Sequence, residues 1–306
     1  MTRVENSDIA LSIAQGGAGR HETFPPRYGW LKKGFDAVSE DPDIFKEDYS
    51  IVKLGVGKNM VRAIRSWCLA FKLIVAKDRQ FVPSAFGERL LNEKNGWDPY
   101  LEDDASLWLL HWQLFVPPFE AVSWPLAFNY CSLSSFDSEE LSRIVYNAAQ
   151  AYPTLARISN KTYQRDASCI IRMYVDPEEK NSEIESPFSQ LGLILKTGER
   201  NRFTFNTRPK LSLPSLIVAA ACFSYMESYF PERQRTISLQ YLVFGTNSPG
   251  VAFKLSETEV GRSLHEASKQ VGGFELVDSL GHLQLHLSKP AEQLRSEVLS
   301  KFYSER

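Results

Sequence analysis

The sequence is poor in cysteine and has no continuous apolar run long enough to span a bilayer. Only four cysteines, Cys68, Cys131, Cys169 and Cys222, occur in 306 residues, widely spaced and without a CxxC pair. That pattern excludes a disulfide framework, argues against a zinc site and predicts buried free thiols in a reducing compartment. The most apolar segment, 211–230, contains Ser, Pro and Glu and reads as a core helix, since a span needs about 18 apolar residues in a row. The N-terminus lacks the basic start and apolar core of a signal peptide. The expected location is therefore cytoplasmic, with no membrane partner.

Excess positive charge is missing too. Lys and Arg number 35 and Asp and Glu 37, a net charge of −2. This excludes a globally basic nucleic-acid binder, so any contact with DNA must come from a local patch. Gly55–Lys58 glances at a phosphate loop, but the GxxxxGK[ST] spacing fails, and neither GxSxG nor HExxH occurs. No nucleotide or organic cofactor is expected.

What is present is ordinary globular composition, 43% hydrophobic and 24% charged, in a chain long enough for two or three domains. Residues 1–19 are polar and end in Gly16-Gly17-Ala18-Gly19, which reads as a flexible lead-in. Residues 20–136 are dense in aromatics and helical periodicity. Residues 137–306 are mixed α/β, with helices over 138–151, 161–175, 213–229 and 257–269. Short strands are expected over 191–196, 202–206, 274–278 and 282–287, with a terminal helix after Pro290. The fold class is α+β, mainly α. It comprises an N-terminal winged helix-turn-helix, a helical middle region with a small β hairpin, and a candidate second winged-helix-like unit at about 237–306.

The N-terminal assignment rests on residues 40–91. Asp41-Pro42-Asp43 places Pro just inside a capping Asp and opens a helix through Ile44, Phe45 and Tyr49. Leu54-Gly55-Val56-Gly57 supplies a tight turn. In the next helix, 57–74, Val61, Ile64, Cys68 and Phe71 recur at helical spacing and should face the core. Lys58, Asn59, Arg62, Arg65 and Ser66 fall on or near the other face, and the first four suit base edges and phosphates. A hairpin over 75–82, tipped by Lys77-Asp78-Arg79, would be the wing. Between Lys53 and Arg79 there are seven basic residues and one acidic, a local +6; from Glu93 to Asp104 the balance is −4. Basic residues on a helix usually mark only a solvated face. Here the turn, helix and hairpin coincide with the charge, which favours duplex DNA as partner. The C-terminal unit carries Arg262, His265 and Lys269 but also Glu257, Glu259 and Glu266, which suits protein contact as well as DNA.

Two stretches could carry chemistry. The first, 20–33, packs His21, Glu22, Arg27, Lys32 and Lys33 with aromatics. His21 or Glu22 could move a proton, and the cations could steady phosphoryl charge or hold the backbone. The bland alternative is an arm that packs on the first domain. The second joins Asp166 to the acidic loop of Asp176, Glu178, Glu179, Glu183 and Glu185, an oxygen-rich set suited to Mg²⁺ or Mn²⁺, although such loops are usually only solvated. His282 and His286 share a strand face, but two histidines alone do not make a metal site.

The long words Arg20–Phe24, Pro26–Gly34, Leu54–Val61, Gly96–Asp103 and Leu107–Trp112, with Leu191–Ile194 and Ser248–Gly250, resemble a bacterial family long labelled only as a domain of unknown function. The resemblance covers nearly all of the chain from Arg20. Members of that family sit in phosphorothioation-linked defence clusters, and one is described as a DNA nickase. The resemblance therefore implies a DNA nickase in phosphorothioate modification and anti-phage defence. It would work beside a cysteine desulfurase, an ATPase and a PAPS-reductase-like protein, with Mg²⁺ or Mn²⁺ as metal. The alternative is a non-enzymatic DNA-binding adaptor or a transcriptional regulator.

Overall fold

The computed structural model describes residues 7–46, 49–176, 186–279 and 281–305. The elements run α1 (Ser7–Ala14), α2 (Trp30–Glu40), α3 (Ser50–Leu54), α4 (Lys58–Ala70), β1 (Ile74–Lys77), β2 (Gln80–Pro83), α5 (Ala85–Leu91), α6 (Asp104–Gln113), α7 (Ser123–Tyr130), α8 (Ser138–Ala149) and α9 (Asn160–Tyr174). Then come β3 (Ile194–Lys196), β4 (Phe203–Phe205), α10 (Ser215–Tyr229), β5 (Thr236–Ser238), α11 (Leu239–Phe244), α12 (Pro249–Phe253), α13 (Glu257–Gln270), β6 (Phe274–Ser279), β7 (His282–Leu287) and α14 (Ala291–Ser304). The fold is mixed and mainly helical, with small antiparallel sheets, as the sequence patterning predicts.

The expected flexible lead-in is ordered in part. Residues 7–14 form α1, and the glycine run after it docks on the loop before α7, where Val122 N–H donates to Gly17 O at 3.0 Å and Gly17 N–H to Phe119 O at 3.2 Å. Of the helix expected from Asp41 through Tyr49, the described residues form a 3₁₀ turn, Ile44–Lys46, and the Asp41 side chain accepts from Asp43 N–H at 2.9 Å as a capping Asp does. Gly55 ends α3 in the left-handed conformation, φ 63°, which supplies the expected corner. The basic helix ends at Ala70 rather than Ile74. Lys72 turns left-handed at φ 56°, and Ile74 already opens β1. Ser66 proves to be buried, on the core side of α4. The hairpin pairs Lys77 with Gln80, leaving Asp78 and Arg79 at its tip.

One hydrophobic cluster runs from Ile13 to Tyr303. Its centre is α10, which is apolar on every side and packs against α14, α13, α6 and α12. All four cysteines are free and buried. The C-terminal order is strand, three helices and a hairpin, with β5 added beside β7 to give the sheet β5–β7–β6. Ser248 caps α12, its side chain accepting from Val251 N–H. No described helix is long and apolar enough to cross a membrane.

Candidate nucleic-acid interface

The turn 19–24 lies between α4 and α9. Its inner end is tied down by Asp166, which stands on the buried side of α9. Gly19 N–H donates to both Asp166 oxygens at 3.1 and 3.2 Å, His21 Nε2–H donates to Oδ1 at 2.9 Å, and Ser123 Oγ–H donates to Oδ2 at 2.5 Å. The His21 ring stacks on Trp67 of α4 at 5.6 Å and meets Trp124 of α7 edge-on at 5.4 Å. Burial disfavours a charged imidazole. The Cys169 sulfur one turn along α9 and the Asp166 carboxylate outweigh it, and His21 is raised from 6.5 to about 10. His21 is therefore held as an imidazolium in a dry ion pair.

Beyond His21 the chain turns back to solvent through two left-handed residues, Glu22 at φ 49° and Thr23 at φ 70°. Neither is glycine and Thr is β-branched, so each costs on the order of 1–3 kcal/mol. The turn is held by Phe24 N–H donating to His21 O at 2.9 Å, Trp67 Nε1–H to Phe24 O at 2.9 Å, and Arg172 Nη2–H to Thr23 O at 2.6 Å.

Three of the sequence-derived site residues thus divide. His21 and Asp166 come together, but only 3% and 1% of their surface is exposed. Glu22 faces solvent and pairs with Arg62 at 3.3 Å. Lys58, Asn59 and Arg62 are exposed along α4, Arg65 is half-buried on the same face, and Lys77 and Arg79 are exposed at the hairpin tip. Arg27, Lys32 and Lys33 are occupied elsewhere. Arg27 lies over Phe24 and Trp30 at 5.5 and 5.1 Å, Lys32 binds Asp36 at 2.6 Å, and Lys33 Nζ donates to Leu54 O at 3.1 Å. Asp176 is exposed, while the rest of the acidic loop, Glu178, Glu179, Glu183 and Glu185, lies outside the described residues.

The structure adds residues that the pattern did not rank. Arg20 crosses Gly17 to reach Glu120; a Cβ on Gly17 would stand 2.1 Å from the Arg20 Nε, so a side chain there would shift the guanidinium. Arg172 stood beside Asp166 in the sequence, and its distance in the chain from Thr23 hid the contact. Ser123 had no signal at all. Among the described residues no group of three or more His, Cys, Asp or Glu side chains is placed to hold a metal ion. Asp166 already accepts from three residues, so the site has no preformed cage for Mg²⁺ or Mn²⁺.

Arg262, His265 and Lys269 are exposed on the C-terminal helix α13. Glu259 closes a capping box with Ser256, Arg262 pairs with Glu266 at 3.5 Å, and Glu266 accepts from Ser215 at 2.5 Å.

A family model described as "Protein of unknown function (DUF4007)" matches residues 19–303. The chain belongs to this family. Two solved structures resemble this DUF4007 protein over nearly its full length. The "SspB crystal structure" is 32% identical with a TM-score of 0.87, covering 95% of this chain and 90% of that chain. The "Magnesium ion-bound SspB crystal structure" is 31% identical with a TM-score of 0.86 and the same coverage. No curated protein matches the sequence. The family resemblance expected from the words beginning at Arg20 is borne out by both kinds of match.

Proposed function

We propose that this DUF4007 protein grips duplex DNA as the DNA-handling, nicking component of a bacterial phosphorothioate modification and anti-phage defence system. The observation that carries the reading is the face of α4. Lys58, Asn59, Arg62 and Arg65 line it behind a glycine corner, and a hairpin tipped by Arg79 follows directly. That order is the one by which a winged helix-turn-helix lays a helix in the major groove and a wing on the backbone. The likeness to SspB supports the same role, and the magnesium in one of those structures supports a metal-dependent nick. In this reading Glu22 is the one of the three chemical candidates within reach of DNA. His21 and Asp166 position the turn that carries it. Magnesium would be completed by phosphate oxygens, which suits an ion that commonly takes only one or two protein carboxylates.

Two structural facts favour the second reading, a DNA-binding adaptor or regulator without its own chemistry. The described residues hold no metal cage, and two of the three candidate groups are buried. The experiment that separates the readings is conversion of supercoiled plasmid to open circle by the purified chain with Mg²⁺ or Mn²⁺, with Glu22→Ala as contamination control. Nicking that the substitution abolishes supports the enzyme. Duplex binding without nicking across metals and concentrations leaves the adaptor, and absence of duplex binding sinks both.

A further inference from the structure

Four arginines surround the turn at Glu22–Thr23. Arg62 and Arg65 stand one helical turn apart on α4, so their side chains share a face. Arg172 reaches the turn from α9 through Thr23 O. Arg20, two residues before Glu22, is laid over Gly17. Against these stand Glu120, which pairs with Arg20, and Glu22, which reaches Arg62 through one contact of 3.3 Å. That contact is long for a charge-assisted bond, and both side chains are open to water, so it is weak. Arg65 has no carboxylate or carbonyl partner among the described residues. Its burial, then the nearby charges of Arg62 and Arg20, bear against its own charge, and Glu22 offsets them only in part. A half-buried guanidinium among like charges without a matching anion is an open position for one.

We propose that Arg20, Arg62 and Arg65 form a subsite for a single phosphate group, and that Glu22 occupies Arg62 in its place until the ligand arrives. The guanidinium forks match tetrahedral phosphate oxygens, and the strained turn holds Glu22 at the rim, from which it can be displaced. The inference rests on the DNA-gripping reading above and adds where one backbone phosphate sits and what it displaces. A free phosphate compound has the same chemistry, so the test carries two probes.

The experiment titrates the full chain with a labelled duplex, by anisotropy at several salt concentrations, and with inorganic pyrophosphate, by calorimetry. Glu22→Gln should tighten both by about two- to five-fold, the equivalent of removing one weak competing ion pair. Arg65→Ala should weaken the duplex at least about tenfold and lower the magnitude of its salt slope by about 1. Arg65→Lys, which keeps the charge but not the fork, should fall between and serves if the alanine variant does not fold. Unchanged or weaker binding by Glu22→Gln overturns the exchange. If Arg65→Ala and Arg65→Lys bind like the wild type while Lys77→Ala and Arg79→Ala weaken the duplex, the subsite is wrong and the DNA reading stands. If pyrophosphate binds and responds to both sites but the duplex does not bind, the subsite stands and the DNA reading falls. Binding of neither probe removes both.

Discussion

Replacing Asp166 by Asn tests the buried end of the turn. The substitution keeps the shape and removes the charge, leaving the His21 imidazolium without its counter-ion in a site where it is 3% exposed. Breaking a buried pair in this way typically costs about 3–5 kcal/mol. Against the cost of burial, the His21 pKa is raised from 6.5 to about 10 by the Cys169 sulfur and then by Asp166, so removing the Asp166 charge takes away part of that rise. For a chain of this size, a cost of about 3–5 kcal/mol is a melting-point loss of roughly 5–8 °C. The pH dependence has a definite sign. The folded-state pKa lies above the unfolded one, so the stabilisation is complete below pH 6.5 and is lost as pH rises through about 10. Thermal melts of both proteins from pH 6 to 10.5, followed by circular dichroism, should show a gap that is widest at the acidic end and closes toward pH 10. A loss under about 2 °C at pH 7, or a gap that widens with pH, would refute the ion pair.

Two further experiments probe the packing of α4 and the hairpin that follows it. A Cβ on Gly34 would stand 2.5 Å from Cys68 Sγ and 2.7 Å from Ile64 Cγ2, so Gly34→Ala should push α2 from α4 and cost about 1–3 kcal/mol. Adding Cys68→Ala should recover part of that loss, and a wild-type melting point for Gly34→Ala would disprove the close packing. At the hairpin tip, Asp78 and Arg79 hold φ of 50° and 65°, where Asn-Gly is preferred. Arg79→Gly alone should stabilise the fold by about 0.5–1 kcal/mol in chemical denaturation while weakening duplex binding through the lost cation. A stability gain without a binding loss would remove Arg79 from the interface.

Helices and hairpins were legible in the sequence wherever periodicity and punctuation agreed. Asp137 with Glu140 and Ser256 with Glu259 both close capping boxes, and α8 and α13 begin where those residues say. The failures have local causes. Asp41-Pro42-Asp43 looks like a helix start, and Asp41 does make the capping bond to Asp43 N–H, yet the described residues that follow form a 3₁₀ turn. The glycine run at 16–19 looks flexible because glycine permits many conformations; here the same lack of side chains lets the run lie against 119–122 and under Arg20. The site was half legible. The local charge excess marked α4, and the crowd of polar residues marked 20–24. The joining of His21 to Asp166, 145 residues away, depends on tertiary packing that no local pattern encodes.

The division between buried and exposed residues follows from that joining. A pair that holds His21 charged in a pocket of tryptophans is poorly suited to exchange protons with a ligand, because neither group meets solvent and Asp166 is already saturated with donors. It is well suited to hold a strained backbone. Residues 22 and 23 adopt angles that a free chain would leave, and the elements flanking them are fixed by bonds to Asp166, Trp67 and Arg172. With His21 buried, Arg20 and Glu22 stay on the exposed side of the turn, where Glu22 pairs with Arg62 and Arg20 with Glu120. The position of the surface charges is thus set by the buried pair, and a change at Asp166 should reach DNA affinity without touching the ligand.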